Sequence, residues 1–519
     1  MFNAICNHHP VKMLLSNIHV YPILNFLVLT IVTSIAYRIF YNLYLHPLAK
    51  FRGPWYSSCF SLPLAIISAK RWEHQWVDDL IKKYGRDAPI RVAPEMLLFP
   101  RPSSLKEIYW DRSLNEKSTF YGTGLFGPPN LFSTLPSVEH TPMRKALGAA
   151  PWAIGDLRKD WEKSMDDQIL LFTKVMTEKA NAGETVDLSD KVAEFAADIM
   201  TVFSFGQAWG FVKNSRDERG LLHHWREALD FVGFAARFTL FRKHIINLPG
   251  IASWLLPEPS SKRGVGYLIY EADRAITQRE YETSQGVYPE KPDFLQHCLD
   301  ARMNDKPLTP LQKRSNVTLL IQAGADTTAT ALGSILRFLA TTPGCYAKAL
   351  AQIRDAEEKG LLSTPVQDAE VRAHLPYLVG AVKEGMRLNP SVTNWLPRIV
   401  PPEGKMIDGF FVPGGIDVTS QATVVQRDPI LFGPDPDAFR PERWMNGKDV
   451  ELEHGMFNFG VGPRVCLGRE IAMMETYKLI SEIVRRFDIE VFKKGIYTSA
   501  GGILYNEDFI VKMHPRAVD

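Results

Sequence analysis

Near the C-terminus a single cysteine is framed by glycines and preceded by an arginine, in the run Phe459-Gly460-Val461-Gly462-Pro463-Arg464-Val465-Cys466-Leu467-Gly468. A thiolate at Cys466 gains from Arg464 and from the N-terminus of the helix expected over Arg469 to Ile483, because cations and helix N-termini both favour the anion. Gly462 and Gly468 let the backbone turn and approach a flat partner where a Cβ would clash. The run therefore reads as a metal-ligating loop facing a planar group. No second Cys or His stands nearby, which excludes a closed tetrahedral zinc site, and an iron–sulfur cluster needs several cysteines. A macrocycle brings its own in-plane ligands, so haem iron with Cys466 as axial thiolate is the metal site that fits, and such a thiolate favours O–O cleavage. A buried structural cysteine is the plain alternative.

The 519 residues are 45% hydrophobic, ample for a buried core. Lys+Arg 60 against Asp+Glu 58 leaves a net charge of +2, so no global field points to nucleic acid. Cys6, Cys59, Cys298, Cys345 and Cys466 are odd in number and widely scattered, which argues against a disulfide framework and for a reducing compartment. Between Lys12 and Arg38 no charged residue occurs, and Ile23 to Tyr37 is mostly apolar, flanked by Tyr21, Tyr37, Tyr41 and Tyr44. That stretch suits a transmembrane helix, which needs about 20 residues. Lys12 alone precedes it while Arg38, Lys50 and Arg52 follow, so the positive-inside rule places the rest of the chain in the cytosol. A cleaved signal peptide, with Ser34-Ile35-Ala36 as its cleavage site, is the competing reading. Pro47 and Gly53-Pro54 then break the helix, dividing the chain into a tail and anchor at 1–45 and one catalytic domain at 46–519.

Helical spacing is clear over Trp72 to Lys83, Leu157 to Ala180, Leu188 to Phe205 and Gln312 to Thr341, and β-like stretches occur at Ile90 to Val92, Met96 to Phe99, Met406 to Val412 and Asp417 to Ala422. The fold class is mainly α with small β-sheets. Gly122-Thr123-Gly124-Leu125-Phe126-Gly127 fits a dinucleotide-binding pattern, but Pro128-Pro129 follows where the helix should run on and no βαβ unit surrounds it, so it reads as a loop.

Thr309-Pro310 starts, and Thr342-Pro343-Gly344 ends, what the pattern predicts as one helix of about 33 residues. In its middle, Ala323-Gly324-Ala325-Asp326-Thr327-Thr328 is poor helix chemistry, since Gly costs about 1 kcal/mol against Ala and Thr competes for backbone carbonyls. Small Ala323 and Gly324 leave room over a flat ring, Thr327 can hydrogen-bond dioxygen, and Asp326 can connect that oxygen to solvent protons. A helix crossing packed through small residues is the alternative.

The cysteine run fits F-x-x-G-x-R-x-C-x-G at every fixed position and resembles the haem loop of cytochrome P450 monooxygenases. The AGADTT run resembles that family's A/G-G-x-D/E-T-T motif, Glu384-Gly385-Met386-Arg387 its E-x-x-R element, and Pro441-Glu442-Arg443-Trp444 its P-E-R-F/W element. His140 and Arg144, four apart on one helix face, stand where the family often has Trp and Arg on a haem propionate, with His140 as the departure. The resemblance covers roughly residues 46 to 510.

It implies a cytochrome P450 fold behind one transmembrane helix, with haem b bound by Cys466 and its propionates held by Arg464, Arg398, Arg144 and His140, while Phe459 and Gly468 shape the surroundings of the sulfur. Asp326 and Thr327 would serve oxygen activation. Glu384, Arg387 and Arg443 would form a buried structural network. Phe120, Leu125, Phe126, Val392 to Leu396 and Ala500 to Leu504 would line the pocket, Phe231 to Ile251 would roof it, and Lys145 would face a redox partner. The implied reaction inserts one oxygen atom of O2 into an apolar small molecule. Electrons come from NADPH through a separate reductase in the same endoplasmic reticulum membrane. The overall style resembles fungal members that make secondary metabolites. A haem-thiolate isomerase or dehydratase, and a non-enzymatic haem sensor, are the alternatives.

Overall fold

The computed structural model describes residues 20–516 except 115, 123, 149–151 and 446, so Cys6 and Thr123 lie outside the described residues. An N-terminal helix, Val20–Phe40, continues as a π-type turn, Tyr41–Leu45. Its most apolar 18-residue stretch has a mean hydropathy of 1.9 and none of that stretch is buried, and the span Tyr21–Leu45 is long and apolar enough to cross a membrane. Its last turns are stapled to the body. Arg38 Nε donates to the Cys59 carbonyl at 3.0 Å, and buried Arg91 donates to Asn42 O and Oδ1 at 2.7 and 2.9 Å.

Behind it lies a mainly helical body with small sheets. The helix Leu188–Phe205 forms where its sequence predicts: Asp187 accepts from Ser189 N at its start, and Gly206 ends it in the left-handed region at φ 78°. This buried helix packs along the central helix, and both belong to the main apolar core. Thr309 and Gln312 complete a capping box at the start of the central helix.

Two helices predicted as continuous are each divided. The central one runs as Pro310–Ala323 and Ala325–Thr341, because Gly324 interrupts it and the Thr327 hydroxyl donates to the Ala323 carbonyl at 2.8 Å. The other divides at Trp161, into Ile154–Asp160 and Glu162–Asn181. The single strand expected at 406–412 is a hairpin, Lys405–Ile407 with Phe410–Val412, since Asp408 and Gly409 both take positive φ. The strand expected to reach Ala422 ends at Thr419, and Ala422 opens a short helix.

The four-stranded sheet orders Ile90–Ala93, Met96–Leu98, Asp417–Thr419 and Arg398–Ile399, with only the middle pair parallel. An isolated bridge adds Lys117 beside Arg398. A C-terminal hairpin, Phe487–Ala500 with Ile503–Pro515, turns at Gly501-Gly502 and packs its second strand against the central helix.

Candidate active site

The cysteine loop is shaped by one close approach. Gly462 has φ +76°, and a Cβ there would fall 2.3 Å from the Tyr109 carbonyl, so only glycine fits. Cys466 N donates to the Phe459 carbonyl at 2.8 Å, closing the loop on itself. Gly468 caps the helix Arg469–Arg486 with φ −78°, so its contribution is not a left-handed turn. Its N–H and that of Arg469 point at the sulfur instead, as expected for a thiolate ahead of a helix N-terminus.

Cys466 is exposed at its surface, whereas Cys59, Cys298 and Cys345 are buried. Burial is nonetheless the largest influence on its thiol and pushes it up, while the two amides and the charges of Arg144 and Arg469 pull it down. Its open face therefore looks into an interior recess. The cations acting on the sulfur are Arg144 and Arg469, and Arg464, expected beside it, serves a different neighbourhood.

That neighbourhood is a cluster of cations. Arg464, in the loop, donates to Ser137 Oγ at 3.2 Å on the helix Ser137–Leu147, which also carries His140 and Arg144. Arg398 donates through Nη1 to Tyr121 OH, Leu396 O and Pro397 O at 3.0–3.1 Å, and its buried Nε has no hydrogen-bond partner among the described residues. Lys117 completes the group, its ammonium donating to the Phe132 carbonyl. Burial and then Arg464, Arg398 and Arg144 hold Lys117 well below the usual lysine range. Burial and the same cations take His140 down to about 3, and Arg464 falls to about 10 through burial and Arg398. Every charge acting on Lys117 and His140 is another cation. The acid acting on Arg464 is Glu116, which is spent on capping Ser137 N.

Like charges gathered below the surface are costly unless a polyanion joins them. Two carboxylates on a macrocycle whose metal takes one axial thiolate meet this donor set, and the orphaned Arg398 Nε is one of the positions they would satisfy. The residues present fit a haem.

Asp326 and Thr327 are adjacent in sequence but serve different faces of the helix. Ala323 is exposed and Gly324 and Thr327 are half-buried, forming its open face. Thr327 is also tied to the segment before Arg398, for Ser391 Oγ donates to its carbonyl at 2.6 Å. Asp326 is buried on an adjoining side, about 100° round the helix from Thr327, where Oδ1 accepts from Arg226 Nε and Nη2 at 3.1 and 2.6 Å. Burial pushes its carboxyl up and Arg226 opposes this.

The structural network is fully buried. Arg387 pairs with both Glu384 oxygens at 2.8 Å, and Arg443 Nε and Trp444 Nε1 reach the same carboxylate at 3.1 and 2.8 Å. Gln426 links it to the cysteine loop: its Nε2 donates to the carbonyls of Met386 and Arg387, and its Oε1 accepts from Phe457 N at 2.7 Å. Elsewhere Phe120 and Leu125 are buried and Phe126 is half-buried, Val392 bridges Ile503, and Lys145 is exposed. In the roof segment Phe241 is buried, but Phe231, Leu240 and Leu248 are exposed. Arg237 in that segment is held by a buried pair with Glu73.

Sequence reasoning missed Lys117, Arg226 and Gln426. Lys117 and Arg226 carry no local motif, because their partners are made by the fold; Gln426 lies between two recognised motifs without belonging to either.

A cysteine cradled by amides, below a buried cluster of cations and a helix broken at its glycine, defines a protein that holds an anionic macrocycle by a thiolate. The cytochrome P450 family model matches residues 139–503, and the chain belongs to that family. It is 29% identical over 485 residues to cytochrome P450 monooxygenase aba1 of Botryotinia fuckeliana, covering 90% of this chain and 92% of that protein. It is 30% identical over 454 residues to cytochrome P450 monooxygenase gsfF of Penicillium aethiopicum, covering 86% and 88%. It is 29% identical over 477 residues to a pisatin demethylase of Fusarium vanettenii, covering 89% of each. The chain is a haem-thiolate monooxygenase using haem iron and O2, with a redox partner and a small-molecule substrate.

Proposed function

We propose that this monooxygenase hydroxylates, or oxidises in a related way, an apolar small molecule in a fungal-type secondary-metabolite pathway. Electrons come from NADPH through a separate cytochrome P450 reductase. The cationic cluster of Lys117, Arg398, Arg464 and Arg144 carries the site reading, because it joins the cysteine loop, the helix Ser137–Leu147 and the sheet into one surface suited to a polyanion. When bound, haem supplies the iron at which O2 is activated and one oxygen atom reaches the substrate.

Cys466 Sγ would hold the haem iron, its thiolate supported by the Gly468 and Arg469 amides and by Arg144. Arg464, Arg398, Arg144 and His140 would hold the propionates, His140 as a neutral donor because burial and its cationic neighbours keep it unprotonated. Phe459 fixes the loop through its carbonyl, and Gly468 through its N–H. Thr327 presents a hydroxyl on the open face of the central helix, and Asp326 takes protons from the solvent side and passes them towards it. Half-buried Phe126, Val392, Leu396 and Ile503 give the substrate an apolar setting.

Residues 1–45 are the tail and single-pass anchor in the endoplasmic reticulum membrane, and 46–519 the cytosolic catalytic domain. The uncovered apolar helix and the basic residues that follow it support this. The test uses membranes carrying the full chain, reductase and NADPH, offered a panel of apolar compounds with pisatin among them. An NADPH-dependent oxygenated product is expected. A haem-loaded enzyme that yields none with any compound refutes the reading.

A further inference from the structure

Beside the central helix, on the flank next to its open face, Ser189, Arg226, Asp326, Thr330, Tyr505 and Asn506 surround a small cavity. It offers about 10 Å3 to the centre of a water-sized sphere, enough for one water molecule. Around it Asp326 Oδ2, Tyr505 OH, Asn506 Oδ1 and Asn506 Nδ2 are all buried and have no hydrogen-bond partner among the described residues. Native interiors leave few polar groups unpaired, and four beside one water-sized space point to a water that pairs them.

The placement is held from three sides. Both Arg226 nitrogens bond Asp326 Oδ1, which leaves Oδ2 to the cavity, and the guanidinium lies 5.2 Å from the Tyr505 ring centre. Thr330 Oγ1 donates to the Leu504 carbonyl at 2.5 Å, binding the hairpin strand to the helix. Gly333 lets the Asn506 amide lie against that helix, for a Cβ there would fall 2.6 Å from Nδ2. Arg226 is one-third exposed, and Asp190, next to Ser189, is exposed, so solvent lies one side chain away.

We propose that Tyr505 and Asn506 hold a water against Asp326 Oδ2, and that this water is the solvent-side step of proton delivery to the active site. A proton arriving at the water from solvent is matched by one of the water's protons passing to Oδ2, so the water is regenerated and the carboxylate becomes the carboxylic acid that serves Thr327. Tyr505 and Asn506 are positioning residues in this route.

The inference rests on the proton-delivery role given to Asp326 above, and the experiment separates the two. Full-length haem-loaded enzyme with reductase is compared with Asn506→Leu, Tyr505→Phe and Asp326→Asn. The readouts are haem content, NADPH oxidation in H2O and D2O, and the share of electrons appearing as hydrogen peroxide. Asn506→Leu is expected to keep its haem, to slow NADPH oxidation about tenfold with a larger solvent isotope effect, and to release more peroxide. If Asp326→Asn slows the enzyme while Asn506→Leu and Tyr505→Phe leave rate and isotope effect unchanged, the inference falls and the Asp326 role stands. If Asp326→Asn also changes nothing, both fall. Should the variants fail to take up haem, a high-resolution crystal structure of the wild-type enzyme decides: ordered water within hydrogen-bond reach of Asp326 Oδ2 and Asn506 supports the route, and a dry cavity overturns it.

Discussion

Replacing Arg387 by Met tests whether the Glu384 network acts on haem binding through the fold. Arg387 has no exposure and donates to both Glu384 oxygens at 2.8 Å, to Gln426 O at 2.8 Å, to Pro436 O at 2.6 Å and to Ala438 O at 3.4 Å. Met keeps much of the volume, so the cavity term is small. Removing one partner of a buried pair costs about 3–5 kcal/mol. Three carbonyls also lose a donor, at about 1 kcal/mol each after relaxation. The total, about 6–8 kcal/mol, is comparable to the roughly 5–15 kcal/mol that holds a domain together. The loss falls where Gln426 ties the Arg387 carbonyl to Phe457 N, just ahead of the cysteine loop. The variant should therefore be largely insoluble, and its soluble fraction should lack haem, measured as haem per polypeptide and by the spectrum of the reduced CO complex. Gln426→Leu, which spares the ion pairs, should keep the fold and weaken haem retention. Arg387→Met with normal haem content and thermal midpoint would refute the reasoning.

Cys466→Ala should abolish the thiolate signature of the reduced CO spectrum together with NADPH-dependent oxygenation; retention of both would overturn the ligand assignment. Lys117→Met should act with opposite signs in two states, lowering haem affinity by about tenfold or more through a lost charge-assisted bond while making the haem-free protein more heat-resistant. Haem titration and thermal melts read the two effects. His140 has its folded value lowered from 6.5 to about 3, so between those limits the unfolded chain binds the extra proton. The haem-free protein should therefore lose stability as pH falls from about 6.5 towards 3, and His140→Gln should flatten that limb in urea melts taken across the range. Removing residues 1–45 strips Asn42 from buried Arg91 and should cost about 1–3 kcal/mol relative to removing 1–37, which keeps both bonds, as thermal melts of the two truncations would show.

Much of the fold was legible because local chemistry and tertiary structure agree. The Asp187 cap and the Gly206 stop delimit Leu188–Phe205, and Thr309-Pro310 with Gln312 marks the start of the central helix. Legibility failed where two local tendencies compete. The apolar pattern of 406–412 reads as one strand, yet Asp408-Gly409 is a turn dipeptide whose positive φ values fold it into a hairpin. The Gly324-to-Thr328 run was recognised as poor helix, but that Gly324 divides the helix depends on Thr327 taking the Ala323 carbonyl. In the site, Cys466 was readable from its loop, and Arg464, Arg398 and Arg144 from the resemblance to the cytochrome P450 family. Lys117 becomes part of it only through its bridge to Arg398, and Arg226 reaches Asp326 across 100 residues of chain. No local pattern encodes either.

The two buried charge clusters show how a fold separates scaffold from ligand site. Around Glu384, Arg387 and Arg443 meet the buried carboxylate, Arg443 also pairs with Asp435 at 3.3 Å, where exposed Arg440 joins at 3.0 Å, and the remaining Arg387 and Arg443 donors end on backbone carbonyls of Gln426, Pro436, Ala438, Phe432 and Asp435. That set closes on itself and asks for nothing further. Around Lys117 the balance is left open, with burial and then Arg464, Arg398 and Arg144 depressing its ammonium, and with Arg398 Nε buried without a hydrogen-bond partner among the described residues. An open set of cations destabilises the protein that lacks its anion and is relieved when the anion binds, so ligand affinity and apo instability share one electrostatic origin. Substitutions in the closed set should therefore destabilise the protein with and without haem alike. Neutralising a member of the open set should narrow the stability difference between the two states, and equal narrowing by both kinds of substitution would show that the clusters are not distinct.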